Sequence, residues 1–279
     1  MLTWAADDFR GRGIETPRLD AELLLGKALG ATRIQLIVDA KRPLSPDELA
    51  RMKELVKRRR AREPVAYILG EREFYGRSFR VDARVLVPRP DTETLVDVAL
   101  DRSRARSMSM RALDLCTGSG CVAISLARER PTASVFASDV SPGALAVARD
   151  NALRLGAYNV ALRLGDLFAA VEPGRRFDVV TANPPYVATG ELPSLAPEIR
   201  DHEPRLALEA GDDGLAVIRR VVAGAAGHLA PGGLLAVEVG AGEAGDVAML
   251  LEAARFLAIE VRRDHGRVER VVSGMLSPG

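Results

Sequence analysis

Ala112-Leu113-Asp114-Leu115-Cys116-Thr117-Gly118-Ser119-Gly120-Cys121-Val122-Ala123-Ile124-Ser125-Leu126-Ala127 is the stretch whose reading decides the fold. Ala112 to Cys116 reads as a strand, Thr117-Gly118-Ser119-Gly120 as a tight turn, and Cys121 to Ala127 as an apolar helix. Glycines in such a turn let the backbone approach a ligand closely and aim the amides of the helix N-terminus at it. Downstream of Pro90 strands and helices alternate, which predicts a mostly parallel sheet covered on both faces. The candidate strands are Ala112 to Cys116, Ser134 to Ser138, Ala161 to Leu164, Asp178 to Thr181, Leu234 to Val239, Ala258 to Arg262 and Val268 to Val272. Only a short turn around Asp264-His265-Gly266 separates the last two, so they are expected as an antiparallel hairpin at the sheet edge. Ser141-Pro142 opens one helix. Another carries Leu215, Ile218, Val222, Ala225 and Leu229 on a single stripe before Pro231-Gly232-Gly233 breaks it.

Upstream the pattern is helical. Leu19, Leu23 and Leu24 fall at helical spacing between Pro17 and Leu29, with Gly30 as the stop. Ser45, Pro46 and Glu48 supply an N-cap, a first-turn proline and a capping-box acid for a helix running to about Arg62, which Pro64 ends. Short aromatic and β-branched runs between Glu73 and Val87 predict a small hairpin: Phe74-Tyr75-Gly76, then Ser78 to Val81, then Val85 to Val87. The expected organisation is a helical domain over residues 1–72, a linking hairpin over 73–88 and a catalytic α/β domain over 89–279, with Arg102, Arg104 and Arg106 in an exposed linker.

Hydrophobic residues at 47% and charged residues at 28% suit a soluble globular chain with a sizeable core. A formal net charge of +1 excludes a global field that would hold the protein on nucleic acid or an anionic membrane. Met1 to Gly13 mixes Asp7, Asp8, Arg10 and Arg12 with apolar residues, unlike a signal peptide, and no run reaches the roughly 18 apolar residues of a membrane span. The two cysteines, Cys116 and Cys121, lack a nearby histidine, so neither a disulfide framework nor a metal site is expected, and a reducing cytoplasm fits.

Asp139, at the tip of the second strand of the sheet and roughly 20 residues beyond the glycines, is placed to accept both hydroxyls of an adenosine ribose; a cap for the helix starting near Pro142 is the alternative. Asp166, after the third strand, is placed to meet an adenine amino group with Leu167 or Phe168 against the ring, or simply to make a turn. Gly118, Gly120 and Ala123 also satisfy the looser dinucleotide pattern. NAD and S-adenosylmethionine both contain adenosine, so these residues do not separate them.

Asn183-Pro184-Pro185-Tyr186 separates them. It ends the fourth strand, at the carboxyl edge where α/β sheets place ligands, and its two prolines fix the backbone and leave carbonyls without local partners. An amide or exocyclic amino nitrogen is a poor nucleophile because its lone pair is delocalised. Holding its two N–H groups on the Asn183 side-chain oxygen and the Pro184 carbonyl would orient the nitrogen towards a sulfonium methyl and stabilise the positive charge that develops. Tyr186 offers a face for the planar group, and no general base is required.

The Asn-Pro-Pro-Tyr element following a Thr-Gly-Ser-Gly loop resembles the amino-methyltransferases, which act on adenine, cytosine or glutamine nitrogens. Pro64 to Gly70, Phe74-Tyr75-Gly76, Pro88 to Glu93 and His202-Glu203-Pro204 followed by Ala207-Leu208 further resemble the bacterial peptide chain release factor glutamine methyltransferases, the HemK family, over nearly the whole chain. The resemblance implies a Rossmann-like, seven-stranded methyltransferase fold using S-adenosylmethionine. It also implies N5-methylation of the glutamine in the Gly-Gly-Gln loop of class 1 release factors. A monomer is expected, and the +1 net charge with a short N-terminal domain argues against stable nucleic-acid binding. Thr117, Gly118, Ser119, Gly120, Cys121, Asp139, Asp166, Leu167 and Asn183 would line the cofactor, Asn183 to Tyr186 would hold the glutamine, and the N-terminal helices would dock the release factor. Cys116 departs from the family, where many relatives have glycine. The runner-up is an adenine-N6 DNA or RNA methyltransferase using the same element on a flipped base.

Lys57 to Arg60 with Arg62 reads as a solvated helix face, or more sharply as a contact with a release factor or ribosomal RNA. His202 is expected in a structural loop role, while Arg89 and Glu93 are candidates for the substrate entrance.

Overall fold

The predicted alternation is realised as one seven-stranded sheet in the computed structural model, which describes residues 1–107 and 109–278; Gly279, where the expected catalytic domain ends, lies outside the described residues. The chain divides into two units, one formed by Met1–Glu71 with Ala196–His202, the other by Arg72–Leu195 and the chain from Glu203 onward.

The first unit contains α1 (Leu2–Gly11), α2 (Pro17–Leu29), α3 (Arg33–Val38), α4 (Pro46–Arg60) and α5 (Val65–Leu69). Pro17 occupies the first turn of α2 and Gly30 ends it with φ 63°. Ser45 and Glu48 close the capping box of α4, each side chain bonding the other residue's backbone N–H. Phe9, Leu24, Met52, Val56 and Ile68 form the core. The basic run is not a solvated face. Successive helical residues point about 100° apart, so consecutive arginines on α4 cannot share one side. Arg58 pairs with Glu63, and Arg60 grips Asp8 through two bonds and lies over the Trp4 ring at 5.0 Å. Arg59 is buried, with Nε 2.7 Å from Asp20 and Nη2 2.9 Å from Glu198, and Arg62 meets the other Glu198 oxygen at 2.9 Å. His202, expected in a loop, ends the Pro197–His202 helix and sets Nε2 3.0 Å from the Ala61 carbonyl.

In the second unit β1 (Glu71–Phe74) and β2 (Arg77–Arg80) form the expected hairpin, turning at Tyr75 and Gly76 with φ 50° and 68°. Val85 to Val87 adds no strand to it. The sheet consists of β3 (Arg111–Leu115), β4 (Ser134–Asp139), β5 (Val160–Leu164), β6 (Phe177–Ala182), β7 (Leu229–Glu238), β8 (Leu257–Arg263) and β9 (Glu269–Met275), in the order β5-β4-β3-β6-β7-β9-β8. Its pairs are parallel except those of β9, which runs antiparallel to β7 and β8 and leaves β8 at the edge. The helices are α6 (Glu93–Arg102), α7 (Cys121–Glu129), α8 (Pro142–Arg154), α10 (Ala216–Ala225) and α11 (Ala244–Ala253), α9 being the Pro197–His202 segment of the first unit.

Neighbouring strand residues face opposite cores. Val179, Leu234, Ala236 and Val271 join Leu95, Ile124 and Leu126 on one side of the sheet. Val180, Leu235, Val237 and Val272 join Ile218, Val222 and Leu251 on the other. Each fully buried aliphatic side chain of this kind contributes about 1.5–3 kcal/mol, so continuous apolar strands are what a doubly covered parallel sheet requires.

Two expectations are corrected. Leu229 is not on the helical stripe: α10 stops at Ala225, and Leu229 pairs with Phe177 at the start of β7. Pro231-Gly232-Gly233 therefore sits inside that strand, at a register irregularity that takes up residues unable to continue a regular ladder. Arg102 and Arg106 are not in an exposed linker either. Arg102 donates to Ser273 Oγ at 2.7 Å and the Ala258 carbonyl at 2.6 Å, while Arg106 binds the Gly232 carbonyl and Asp178; only Arg104 is exposed.

Arg59→Ala should cost about 3–5 kcal/mol, because it strands the buried Asp20 carboxylate without its cation and leaves Glu198 to Arg62 alone. Urea unfolding measures this loss, and replacing all three side chains with apolar residues of similar volume should recover most of it.

Candidate active site

Sheet order reverses between β3 and β6: the chain proceeds outward through β4 and β5, then returns to β3's other side. The loops after these strands diverge there and enclose a cavity of about 300 Å³. Of the residues expected to line the cofactor or hold the substrate, all line it except Gly120, Pro184 and Tyr186, and Phe168, the alternative to Leu167, stacks on His228 instead. Val85, Leu86, Arg89 and Thr92 add a second wall, and Pro204, Leu206 and Ala207 a third. Glu93 is turned away, accepting the Tyr75 amide at 2.8 Å.

Asp114 anchors the glycine loop from below. It accepts the Thr117 hydroxyl at 2.6 Å and the Thr181 hydroxyl of β6 at 2.8 Å, and burial pushes its carboxyl up to about 6 against these bonds. The Thr117 amide donates to the Ser138 carbonyl at 3.0 Å and the Gly120 amide to the Thr117 carbonyl at 2.8 Å. The two glycines do different work. A Cβ on Gly120 (φ 81°) would lie 2.9 Å from Ile124 Cδ1 and 3.2 Å from Ala148 Cβ, so this glycine lets α7 and α8 approach. A Cβ on Gly118 (φ 54°) would meet nothing within 4 Å. Cys116 holds φ 55° without being glycine, a backbone conformation that costs a residue with a side chain roughly 1–2 kcal/mol. Burial raises both cysteine thiols, Cys121 to about 12, so each stays protonated and serves packing.

Asp139 shares its carboxylate between the Gly118 amide (Oδ2, 2.9 Å) and the Ser141 amide (Oδ1, 2.8 Å). Asp139 is not itself the cap of α8, whose N-cap is Ser141; it bonds the Ser141 amide and faces the cavity. Each oxygen keeps a lone pair for a ligand hydroxyl. Beside it Ser138 Oγ is buried without a partner, a polar atom waiting at the cavity wall. Asp166 is held by Arg220 at 2.6 Å, both half exposed, and Leu167 is buried at φ 50° against the cavity.

On the opposite side Asn183 Nδ2 donates to Thr92 Oγ1 at 3.2 Å. Among the described residues, neither Asn183 Oδ1 nor the Pro184 carbonyl accepts a hydrogen bond, leaving two free acceptors at adjacent residues. Tyr186 packs into the core beneath, its hydroxyl pushed up to about 12 by burial. The chain beyond is fixed by a bridge from Val187 to Glu209 and by Gly214, where a Cβ would meet the Tyr186 carbonyl at 2.6 Å. Asp114 and Glu238 were not singled out from the sequence, and Thr92 and Glu203 entered only as members of family motifs. Asp114 and Glu238 did carry a signal: each is an acid inside an otherwise apolar buried strand.

A crystal structure of a Pyrococcus furiosus methyltransferase, 19% identical, superposes with TM-score 0.54 over 73% of this chain and 91% of that one, and thus shares the fold. Residues 92–200 match the methyltransferase small domain model, which makes the sheet unit that of a methyltransferase. Residues 1–70 match the model of the PrmC N-terminal domain. The release factor glutamine methyltransferase of Geobacter sulfurreducens is 43% identical over 99% of this chain and 95% of its own. The Burkholderia pseudomallei protein of that name is 47% identical over 94% and 92%. The chain belongs to the release factor glutamine methyltransferase family.

Two measurements probe this geometry. Gly120→Ala should lose about 2–3 kcal/mol, from left-handed strain plus overpacking, and Gly118→Ala only about 1 kcal/mol from strain, as read by urea unfolding. Asp114 has a folded-state pKa above the ordinary carboxylate range, so its proton stabilises the fold at low pH. That contribution should be complete below about pH 4 and fade as pH rises through about 6. A pH series on Asp114→Asn should lack that slope.

Proposed function

We propose that this protein transfers a methyl group from S-adenosylmethionine to the side-chain amide nitrogen, N5, of the glutamine in the Gly-Gly-Gln loop of class 1 peptide chain release factors. The observation that carries the reading is the pair of free acceptors, Asn183 Oδ1 and the Pro184 carbonyl, beside a cavity suited to an adenosyl ligand. Nearly full-length relatives called release factor glutamine methyltransferases support the substrate.

S-adenosylmethionine supplies an electrophilic sulfonium methyl when bound. Asp139 would accept the ribose hydroxyls with its remaining lone pairs, Gly118 would admit the ligand against bare backbone, and Leu167 would flank the adenine with Asp166 near its amino group. Thr117, Ser119, Gly120 and Cys121 complete the loop. A carboxamide nitrogen has two N–H groups and a delocalised lone pair. Directing both hydrogens onto Asn183 Oδ1 and the Pro184 carbonyl turns its π-face towards the methyl donor, and the same acceptors stabilise positive charge as the bond forms. Pro185 fixes the backbone that carries these acceptors, and Tyr186 packs behind it. The N5 proton leaves after transfer, because an alkylated amide cation is a strong acid, so no side chain need act as base.

In this reading the helical domain over residues 1–72 docks the release factor, the hairpin over 73–88 links it to the methyltransferase domain over 89–279, and the enzyme works as a cytoplasmic monomer without stable nucleic-acid binding. Four of the five basic residues between Lys57 and Arg62 are engaged internally, which leaves no basic helix face for nucleic acid.

Incubation with labelled S-adenosylmethionine and either an unmodified class 1 release factor or unmethylated duplex DNA, followed by mass spectrometry, tests the reading. The methyl should lie on the Gly-Gly-Gln glutamine; label on adenine alone would overturn it. Asn183→Ala should lower turnover by about 10²–10³, as for removal of one preorganised electrostatic contact, with cofactor affinity far less affected.

A further inference from the structure

Glu238 is buried at the carboxyl end of β7, yet it does not line the cavity. In the parallel register Ala182 pairs with Val237, so the next residues, Asn183 and Glu238, stand side by side at the strand ends. Thr92 reaches the same point, bonded to Asn183 Nδ2 at 3.2 Å. One Glu238 oxygen, Oε2, is buried without a partner. On the far side Arg270 links Asp91 at 3.5 Å to Asp264 at 3.1 Å.

We infer that Glu238 is a positioning residue whose carboxylate fixes which way the Asn183 amide points. The inference rests on the proposed clamp, in which Asn183 Oδ1 receives the substrate N–H. An Asn carboxamide is nearly symmetric in shape, and turned by 180° it would offer the substrate donors in place of an acceptor. Thr92 accepts from Asn183 Nδ2, which leaves its single hydroxyl proton to be donated onward, and the ionised Glu238 carboxylate can only accept. Donors therefore run in one direction, from Asn183 and Thr92 towards the anion. The turned amide would bring Oδ1 against a buried negative charge. A protonated carboxyl, or a glutamine, can donate and removes this preference.

Burial raises the Glu238 carboxyl to about 7, opposed by the nearby Thr92 hydroxyl, the Arg270 charge and the Asn183 amide, while Asp91 adds to the rise. Tyr186 and Cys121 also face it, and both are pushed up to about 12, so neither titrates in that range. The clamp should work with Glu238 ionised, so turnover should rise with pH through about 7. Asp114, which lines the same cavity and is raised to about 6, is the other nearby source of an acidic limb.

The experiment measures kcat against pH with saturating S-adenosylmethionine and a class 1 release factor for wild type, Glu238→Gln, Glu238→Asp, Asn183→Ala and the Asn183→Ala/Glu238→Gln double variant. Glu238→Gln should lower kcat about 10- to 100-fold, the size of coupling between contacting residues. It should lose the limb near pH 7, with cofactor affinity little changed. Glu238→Asp, which keeps the anion, should recover part of the rate, and in the Asn183→Ala background Glu238→Gln should cost almost nothing. Near-normal turnover of Asn183→Ala would refute the clamp, and this inference with it. A crippled Asn183→Ala would leave the clamp standing but overturn the role of Glu238 if the limb persists in Glu238→Gln or the two losses multiply. Should Glu238→Gln not fold, the wild-type profile decides, since absence of a limb near pH 7 overturns the inference.

Discussion

Asp114 is the residue on which the site's geometry depends. A carboxyl group almost fully buried in β3 is costly, and its two hydroxyl partners make it tolerable: Thr117 in the glycine loop and Thr181 near the end of β6. These bonds join the loop suited to the cofactor to the strand that leads into Asn183. Because β3 and β6 pair in parallel, with Asp114 opposite Thr181, both loops leave the sheet at the same height. The cavity forms where they part.

The two walls use different physics. Around Gly118 and Asp139 the backbone does most of the work: amides are spoken for, one glycine is open above and another is closed by packing against α8. Such a wall recognises a ligand by close approach and a few fixed acceptors. Around Asn183 the important fact is what is left over. Two prolines remove local bonding options, Thr92 takes one amide hydrogen, and two acceptors remain without partners among the described residues. An amide nitrogen needs little activation by a base but must be oriented, and a rigid pair of acceptors suits that need.

Much of this was legible in the chain. The seven strands were readable because a doubly covered sheet demands apolar runs, and Ser45, Pro46 and Glu48 marked a helix start through capping chemistry that is local. The Asn-Pro-Pro-Tyr element stands out because a structural turn rarely needs that combination, and the structure sets Asn183 and Pro185 at the cavity wall. What escaped depends on distant partners. Arg59 is indistinguishable in sequence from its solvated neighbours until Asp20 and Glu198 close on it. Leu229 fits a helical stripe by spacing, but pairing with Phe177 claimed it for the sheet. Ala196–His202 joins the first unit through long-range contacts that no local pattern encodes. Glu238 and Asp114 were visible as acids in apolar strands, but their tasks required knowing which side chains the register sets beside them.

The central claim is that Asn183 Oδ1 and the Pro184 carbonyl together hold a carboxamide nitrogen. A crystal structure with S-adenosylhomocysteine and a class 1 release factor tests it most directly. The account predicts the Gly-Gly-Gln carboxamide nitrogen within about 2.7–3.2 Å of both acceptors, its face towards the cofactor sulfur. A complex in which other groups hold that nitrogen, with Asn183 Oδ1 turned towards Thr92 and Glu238, would contradict it.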